Sequence, residues 1–185
     1  MGEEACTHRG RRLILIGPRG AGKTSAGRLA ASLLGWPFFD ADLEAERRAG
    51  MDIASLMARQ GEAAFRTLEA QVLADLCLRE PAVVATGGGA VLNEESRALI
   101  RSSGLAIWLD AAPEALWGRI QADPDTPARR PRLAGGGVEE VRQLRARREP
   151  LYRQCAQARL DTGGRTVDEV ARALATLAAA PSPTG

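Results

Sequence analysis

The chain is short of the residues that most often ligate metals or shuttle protons. It holds one histidine, one lysine and three cysteines among 185 residues. The histidine, His8, lies in a charged, non-periodic start that reads as disordered, so no catalytic role falls to it. Cys6, Cys77 and Cys155 are odd in number and lack metal-ligand spacing, which suits reduced thiols in a cytoplasmic protein. No apolar run approaches the roughly 18 residues of a membrane span. Residues 1–12 mix Glu3 and Glu4 with arginines and contain no apolar stretch, which argues against a secretory leader. The net charge of +2 gives no general case for binding nucleic acid. A hydrophobic content of 45% argues against a disordered chain. The length suits one domain that buries about 70% of its unfolded surface and folds without disulfides.

The basic residues are lopsided. Of 25 lysines and arginines, only Lys23 is lysine. A GC-rich coding sequence produces such a bias. The surviving lysine is then either an accident or a position that needs a compact point charge rather than a planar fork.

Periodicity organises the rest. Residues 12–17 (RLILIG) form a short apolar run that predicts a buried parallel strand. Residues 36–40, 81–86, 105–110 and 159–162 read as further strands, the last the weakest. Between and after them the spacing predicts helices over 22–34, 43–50, 52–60, 62–78, 93–101, 113–121, 138–156 and 167–180. In the 62–78 helix, Phe65, Leu68, Val72, Leu73 and Leu76 make the apolar face. Pro113 suits a first helical turn, and Pro150 predicts a kink or break. Strands alternating with helices give an α/β fold around a parallel sheet. Residues 122–137, with Pro124, Pro127, Pro131 and three glycines, read as a mobile loop or lid. Residues 1–11 and 181–185 read as flexible ends of a single domain.

Residues 17–24, GPRGAGKT, fit G-x-x-x-x-G-K-[ST] between a predicted strand and a predicted helix. Amides of Gly20, Ala21, Gly22, Lys23, Thr24 and Ser25 can ring a phosphate there. Lys23 then reaches the β- and γ-phosphates of ATP, and the Thr24 hydroxyl ligates Mg²⁺. Asp40 and Asp42 alternate at a strand end, so both can face the crevice beyond it. One can hold a metal-bound water and the other a substrate hydroxyl; equally, one can cap the next helix. Arg66 has Glu62 and Glu69 within helical reach, so a surface ion pair competes with an anion site. Gly87, Gly88 and Gly89 allow close approach of a ligand, or only a flexible turn. Arg130 and Arg132, in the Pro-flanked loop, suit closure over phosphates or plain solvation. Arg147 and Arg148 offer an anion site or a solvated helix face.

In order along the chain, GPRGAGKT, DAD, GEAAFR, ATGGGAV, RPRLAG and RREPLYR together resemble the shikimate kinase family. The resemblance runs from about residue 13 to 179 and implies a three-layer P-loop sandwich of the nucleoside-monophosphate-kinase type. That fold has a five-stranded parallel sheet, a helical substrate-binding segment and a lid at 122–137. The implied activity is Mg²⁺-dependent transfer of the ATP γ-phosphoryl group to the 3-hydroxyl of shikimate, in aromatic amino-acid biosynthesis. The implied actor is a cytoplasmic monomer that binds small molecules and neither nucleic acid nor membrane. By position, Lys23 resembles the phosphate lysine, Thr24 and Asp40 the metal-site pair, and Asp42 the carboxylate on the substrate hydroxyls. Arg66, Arg148 and the turn of Gly87, Gly88 and Gly89 resemble the residues around shikimate, with Phe65 packing nearby. Arg130 resembles the lid arginine on the phosphates, Arg119 the arginine on adenine, and Arg165 falls in the adenine-loop region. Two departures stand out: a few extra residues with Pro124 and Pro127 ahead of the lid arginine, and Arg132 as an added cation. The rivals are a kinase for another polyol acid, such as gluconate, and a nucleotide-binding module without turnover. The glycine turn and the Phe65–Arg66 pair disfavour the first; Lys23, Thr24, Asp40 and Asp42 disfavour the second.

Overall fold

The structure, a computed structural model, describes residues 11–123 and 136–180. The sequence-predicted lid, with Arg130 and Arg132, and the two chain ends lie outside the described residues, apart from positions 122, 123, 136 and 137 at the lid's borders. Five strands make one sheet: β1 (Arg12–Ile16), β2 (Phe38–Asp40), β3 (Ala82–Ala85), β4 (Leu105–Asp110) and β5 (Ala158–Asp161). Their order is β2-β3-β1-β4-β5, and every neighbouring pair is parallel. The helices among the described residues are α1 (Lys23–Leu34), α2 (Ala41–Ala49), α3 (Ile53–Leu76), α4 (Glu94–Ser103), α5 (Pro113–Ala122), α6 (Gly137–Cys155) and α7 (Val167–Ala179). None is long and apolar enough to cross a membrane.

Central parallel strands are covered on both faces, so they need apolar residues at every position. β1, β3 and β4 meet that demand, with Leu13–Ile16, Val83, Val84, Ala106, Ile107 and Leu109 all at zero exposure. The pleat sends alternate residues to opposite layers. Leu13, Leu15, Ile107 and Leu109 pack with Ala26, Ala30, Leu116 and Leu174 on one side. Ile14, Ile16, Ala106 and Trp108 pack with Leu73, Ile100 and Tyr152 on the other. The result is three layers. The chain leaves β1 toward β2 and leaves β3 toward β4, so a crevice opens beyond the carboxyl ends of these two neighbours.

Two predicted breaks come out differently. Gly61 takes φ 85, ψ 165 inside α3, which divides it where the sequence suggests two helices. At Pro150, where a kink or break is predicted, there is no break: α6 runs through it to Cys155, close to the predicted 138–156. Proline removes one helical hydrogen bond, while Tyr152 and Cys155 beyond it are buried against β4 and hold the last turn in place. α6 is also tied to the sheet by charge. The Asp110 carboxylate, fully buried at the end of β4, receives Arg145 Nε at 2.9 Å and Nη2 at 2.5 Å. Arg159 of β5 donates to the same carboxylate at 2.9 Å. These bonds to Asp110, more than burial opposes them, raise the pKa of Arg145.

Cys77 and Cys155 are buried free thiols, and burial pushes both thiol pKa values up. Neither should react with a thiol reagent at neutral pH until the protein is denatured. Mass spectrometry of the labelled protein checks this, and rapid native labelling at either position contradicts the packing.

Candidate active site

The loop after β1 is shaped by what it lacks. A side chain on Gly17 would overlap the Leu109 carbonyl, and one on Gly20 would run into the Leu116 carbonyl. Both take positive φ, which disfavours other residues a second time. Gly22 caps α1 without any side-chain hydrogen bond, and no acidic residue sits in the first turn. The amides at that helix end therefore carry the positive pole of α1 into the crevice, which suits a phosphate. Lys23 arches back over the loop, its Nζ donating to the carbonyls of Gly17 at 2.8 Å and Pro18 at 2.9 Å.

Asp40 closes the next edge, and its reading as a helix cap holds. Oδ1 accepts from the amides of Asp42 and Leu43 at 3.0 and 3.2 Å, capping α2. Oδ2 accepts from the Thr24 hydroxyl at 2.6 Å. A hydroxyl and a carboxylate therefore stand side by side at the mouth of the phosphate loop.

Beyond β3, buried Thr86 anchors the glycine turn by donating through its amide and hydroxyl to the Leu15 carbonyl. Each following glycine meets a charged side chain. A Cβ on Gly87 would stand 2.6 Å from both Asp42 Oδ1 and Glu69 Oε1. One on Gly89 would overlap the Arg66 guanidinium, and one on Gly88 would lie 3.8 Å from Arg148 Nη1. Arg66 donates to Glu69 at 2.7 Å and Glu62 at 3.0 Å. The predicted surface pair is thus half correct, because Glu69 is only 5% exposed. Burial opposes the charge of Arg66, but Glu69 and Glu62 outweigh it and raise the guanidinium pKa. Phe65 lies wholly buried with Ile53 and Leu56, beneath the Arg66 guanidinium at 5.1 Å, and does not line the crevice.

These parts enclose a crevice of about 290 Å³, lined by Lys23, Thr24, Ser25, Asp40, Asp42, Gly88, Arg119 and Arg148, among others. Arg119 is fixed by donation to Gly20 O, Thr162 Oγ1 and Thr162 O. It also borders a second recess of about 100 Å³ with Gly22, Ser25, Arg165 and Thr166. Sequence reasoning missed Ile53, Val141, Leu144 and Arg145, which also line the crevice. The three apolar ones look like ordinary core positions in sequence, and Arg145 looks like one more arginine on a basic helix. Arg19 also lines it, 3.7 Å from Asp123 at the end of α5.

The family model for shikimate kinase matches residues 19–178. A shikimate kinase of Nitratidesulfovibrio vulgaris is 44% identical over 158 residues, 85% of this chain and 87% of that protein. Among solved structures, a shikimate kinase from Acinetobacter baumannii in complex with shikimate superposes with a TM-score of 0.83 at 36% identity, over 90% of this chain and 91% of that one. A gluconokinase from Sinorhizobium meliloti, at 17% identity and a TM-score of 0.53 over 91% of each chain, shares the fold alone.

Lys23 is surrounded by loop carbonyls rather than core, so Lys23→Ala should leave the melting temperature in place while turnover with ATP falls at least ~10²-fold. Lys23→Arg should fail nearly as badly, since a wider fork must enter a loop closed around an ammonium. Near-normal turnover of the arginine variant contradicts the need for a point charge.

Proposed function

The chain belongs to the shikimate kinase family, and from that premise we infer that it transfers the γ-phosphoryl group of ATP to the 3-hydroxyl of shikimate. One observation carries the substrate side of this reading. A single glycine turn, set against the phosphate loop, is approached by the carboxylates of Asp42 and Glu69 and by the guanidinium groups of Arg66 and Arg148; of these, Asp42 and Arg148 line the crevice, and Arg66 stands behind the turn at Gly89. That arrangement suits a small polyhydroxylated acid: cations for its carboxylate, an acceptor for its hydroxyls, and no side chain on the turn to fill its place.

Phosphoryl transfer asks the protein mainly for positioning and charge neutralisation. In this proposal the loop amides and Lys23 hold the β- and γ-phosphates. Arg66 and Arg148 grip the carboxylate by charge-assisted hydrogen bonds and so fix which hydroxyl faces the phosphate. Asp42 orients that hydroxyl and takes its proton. Ile53, Val141 and Leu144 keep competing water out of the crevice. Hard oxygen donors suit Mg²⁺, which is usually held by one or two carboxylates and substrate phosphates; Thr24 and Asp40, 2.6 Å apart, fit that need. Bound there, the ion supplies neutralisation of phosphate charge. Arg119 and Arg165 belong to the proposed adenine side, and Arg130 to the lid. A cytoplasmic monomer acting on small molecules completes the proposal.

The reading is tested by a coupled ATP assay of the purified protein against shikimate, gluconate and related polyol acids. Turnover of shikimate well above the others is the expected result; gluconate turnover, or none at all, overturns it.

The two aspartates should separate by what they serve. Asp42→Asn should depress kcat with little change in ATP binding, whereas Asp40→Asn should shift the Mg²⁺ dependence. Identical Mg²⁺ titrations of the two variants contradict that division.

Arg66→Ala and Arg148→Ala should each raise the KM for shikimate roughly ten- to a hundredfold, the worth of a charge-assisted hydrogen bond of about 1.5–3 kcal/mol. ATP affinity measured without shikimate should stay near wild type. An analogue lacking the carboxylate should bind wild type and both variants about equally. Equal weakening of shikimate and the analogue removes Arg66 from the carboxylate site.

A further inference from the structure

Tyr152 is the chain's only tyrosine, and it is fully buried. Its hydroxyl donates to the Gly88 carbonyl at 2.7 Å. The same oxygen accepts Arg148 Nη1 at 3.2 Å. Both donors come from α6, four residues apart, and so rise from one face of the helix. The Tyr152 ring stacks on Trp108, with centroids 5.7 Å apart. Trp108 in turn packs against the phosphate loop, its Cδ1 3.2 Å from where a Cβ of Gly17 would stand. One side chain thus links the start of that loop, the glycine turn and the helix that bears Arg148.

A carbonyl oxygen offers two lone pairs, and a guanidinium offers five donors. At Gly88 the short tyrosine bond occupies one lone pair, leaving one for a single, longer contact from Arg148. The rest of the Arg148 fork stays available to the crevice that it lines. We infer that Tyr152 is a positioning residue: it holds the glycine turn in register and limits how far Gly88 draws Arg148 away from the substrate anion. The inference rests on the proposed reading that Arg148 binds the carboxylate of shikimate.

Tyr152→Phe removes one oxygen and keeps the stacked ring. The KM for shikimate should rise roughly three- to tenfold, the worth of one hydrogen bond, while the KM for ATP is unchanged and the melting temperature falls only slightly. In an Arg148→Ala background the same substitution should add a distinctly smaller rise, because the part that acts through Arg148 is already lost. An unchanged KM for shikimate, equal rises for both substrates, or full additivity with Arg148→Ala overturns the assignment. Wild-type protein that does not phosphorylate shikimate at all overturns the functional reading instead. A second measurement needs no substitution: with fluorotyrosine incorporated, the single tyrosine gives one fluorine resonance. That resonance should shift on adding shikimate and stay put with ATP alone; no shift with shikimate also overturns the inference.

Discussion

The carboxylate of Asp40 does two jobs at once, and the geometry of the crevice follows from it. One oxygen closes the amino end of α2; the other takes the hydroxyl of Thr24 at the start of α1. The first bond fixes the direction in which α2 departs from β2, and with it the placement of Asp42 in that helix's first turn. The second ties this edge of the sheet to the phosphate loop. α3 then packs along α2 and brings Arg66 to the glycine turn. A neutral residue at position 40 loses charge at both bonds together, so the starts of α1 and α2 are coupled through one side chain.

Much of this was readable in the residues. Strands β1, β3 and β4 announce themselves because burial on both faces demands unbroken apolar runs, and the loop from Gly17 to Thr24 because the carbonyls of Leu109 and Leu116 leave no room for side chains at Gly17 and Gly20. The glycine turn was legible as a place of close approach. What approaches it was not: Asp42, the neighbouring Arg66 and Glu69, and Arg148 come from three distant stretches of sequence, and only the fold gathers them. Glu69 shows the limit clearly. Helical spacing pairs it with Arg66, but only the packing of α3 reveals that the pair is inside. At Pro150 local rules leave a kink or a break open, because they know nothing of the buried Tyr152 and Cys155 that keep α6 helical past it.

The buried charges follow a common plan. Asp110 and Glu69 each sit near the carboxyl ends of the strands, and each is met by arginine. A lone buried carboxylate is costly, and paired ones stay ionised only where geometry is good. Asp110 thereby fastens α6 to β4 and β5, while Glu69 holds Arg66 beside the glycine turn. Arg66 and Arg145 are thus held by buried anions, whereas Arg119 and Arg148 are held by the carbonyls of Gly20, Thr162 and Gly88 and the hydroxyl of Thr162.

The solitary lysine has a practical side as well. Reagents that acylate primary amines usually find a scatter of surface targets, but on this chain they meet, besides the α-amino group, a single side chain, and it arches over the phosphate loop. An amine-directed affinity label shaped like a nucleotide therefore has one side-chain address. Amine crosslinking and lysine-based immobilisation, by the same fact, have almost nothing on the outer surface to hold.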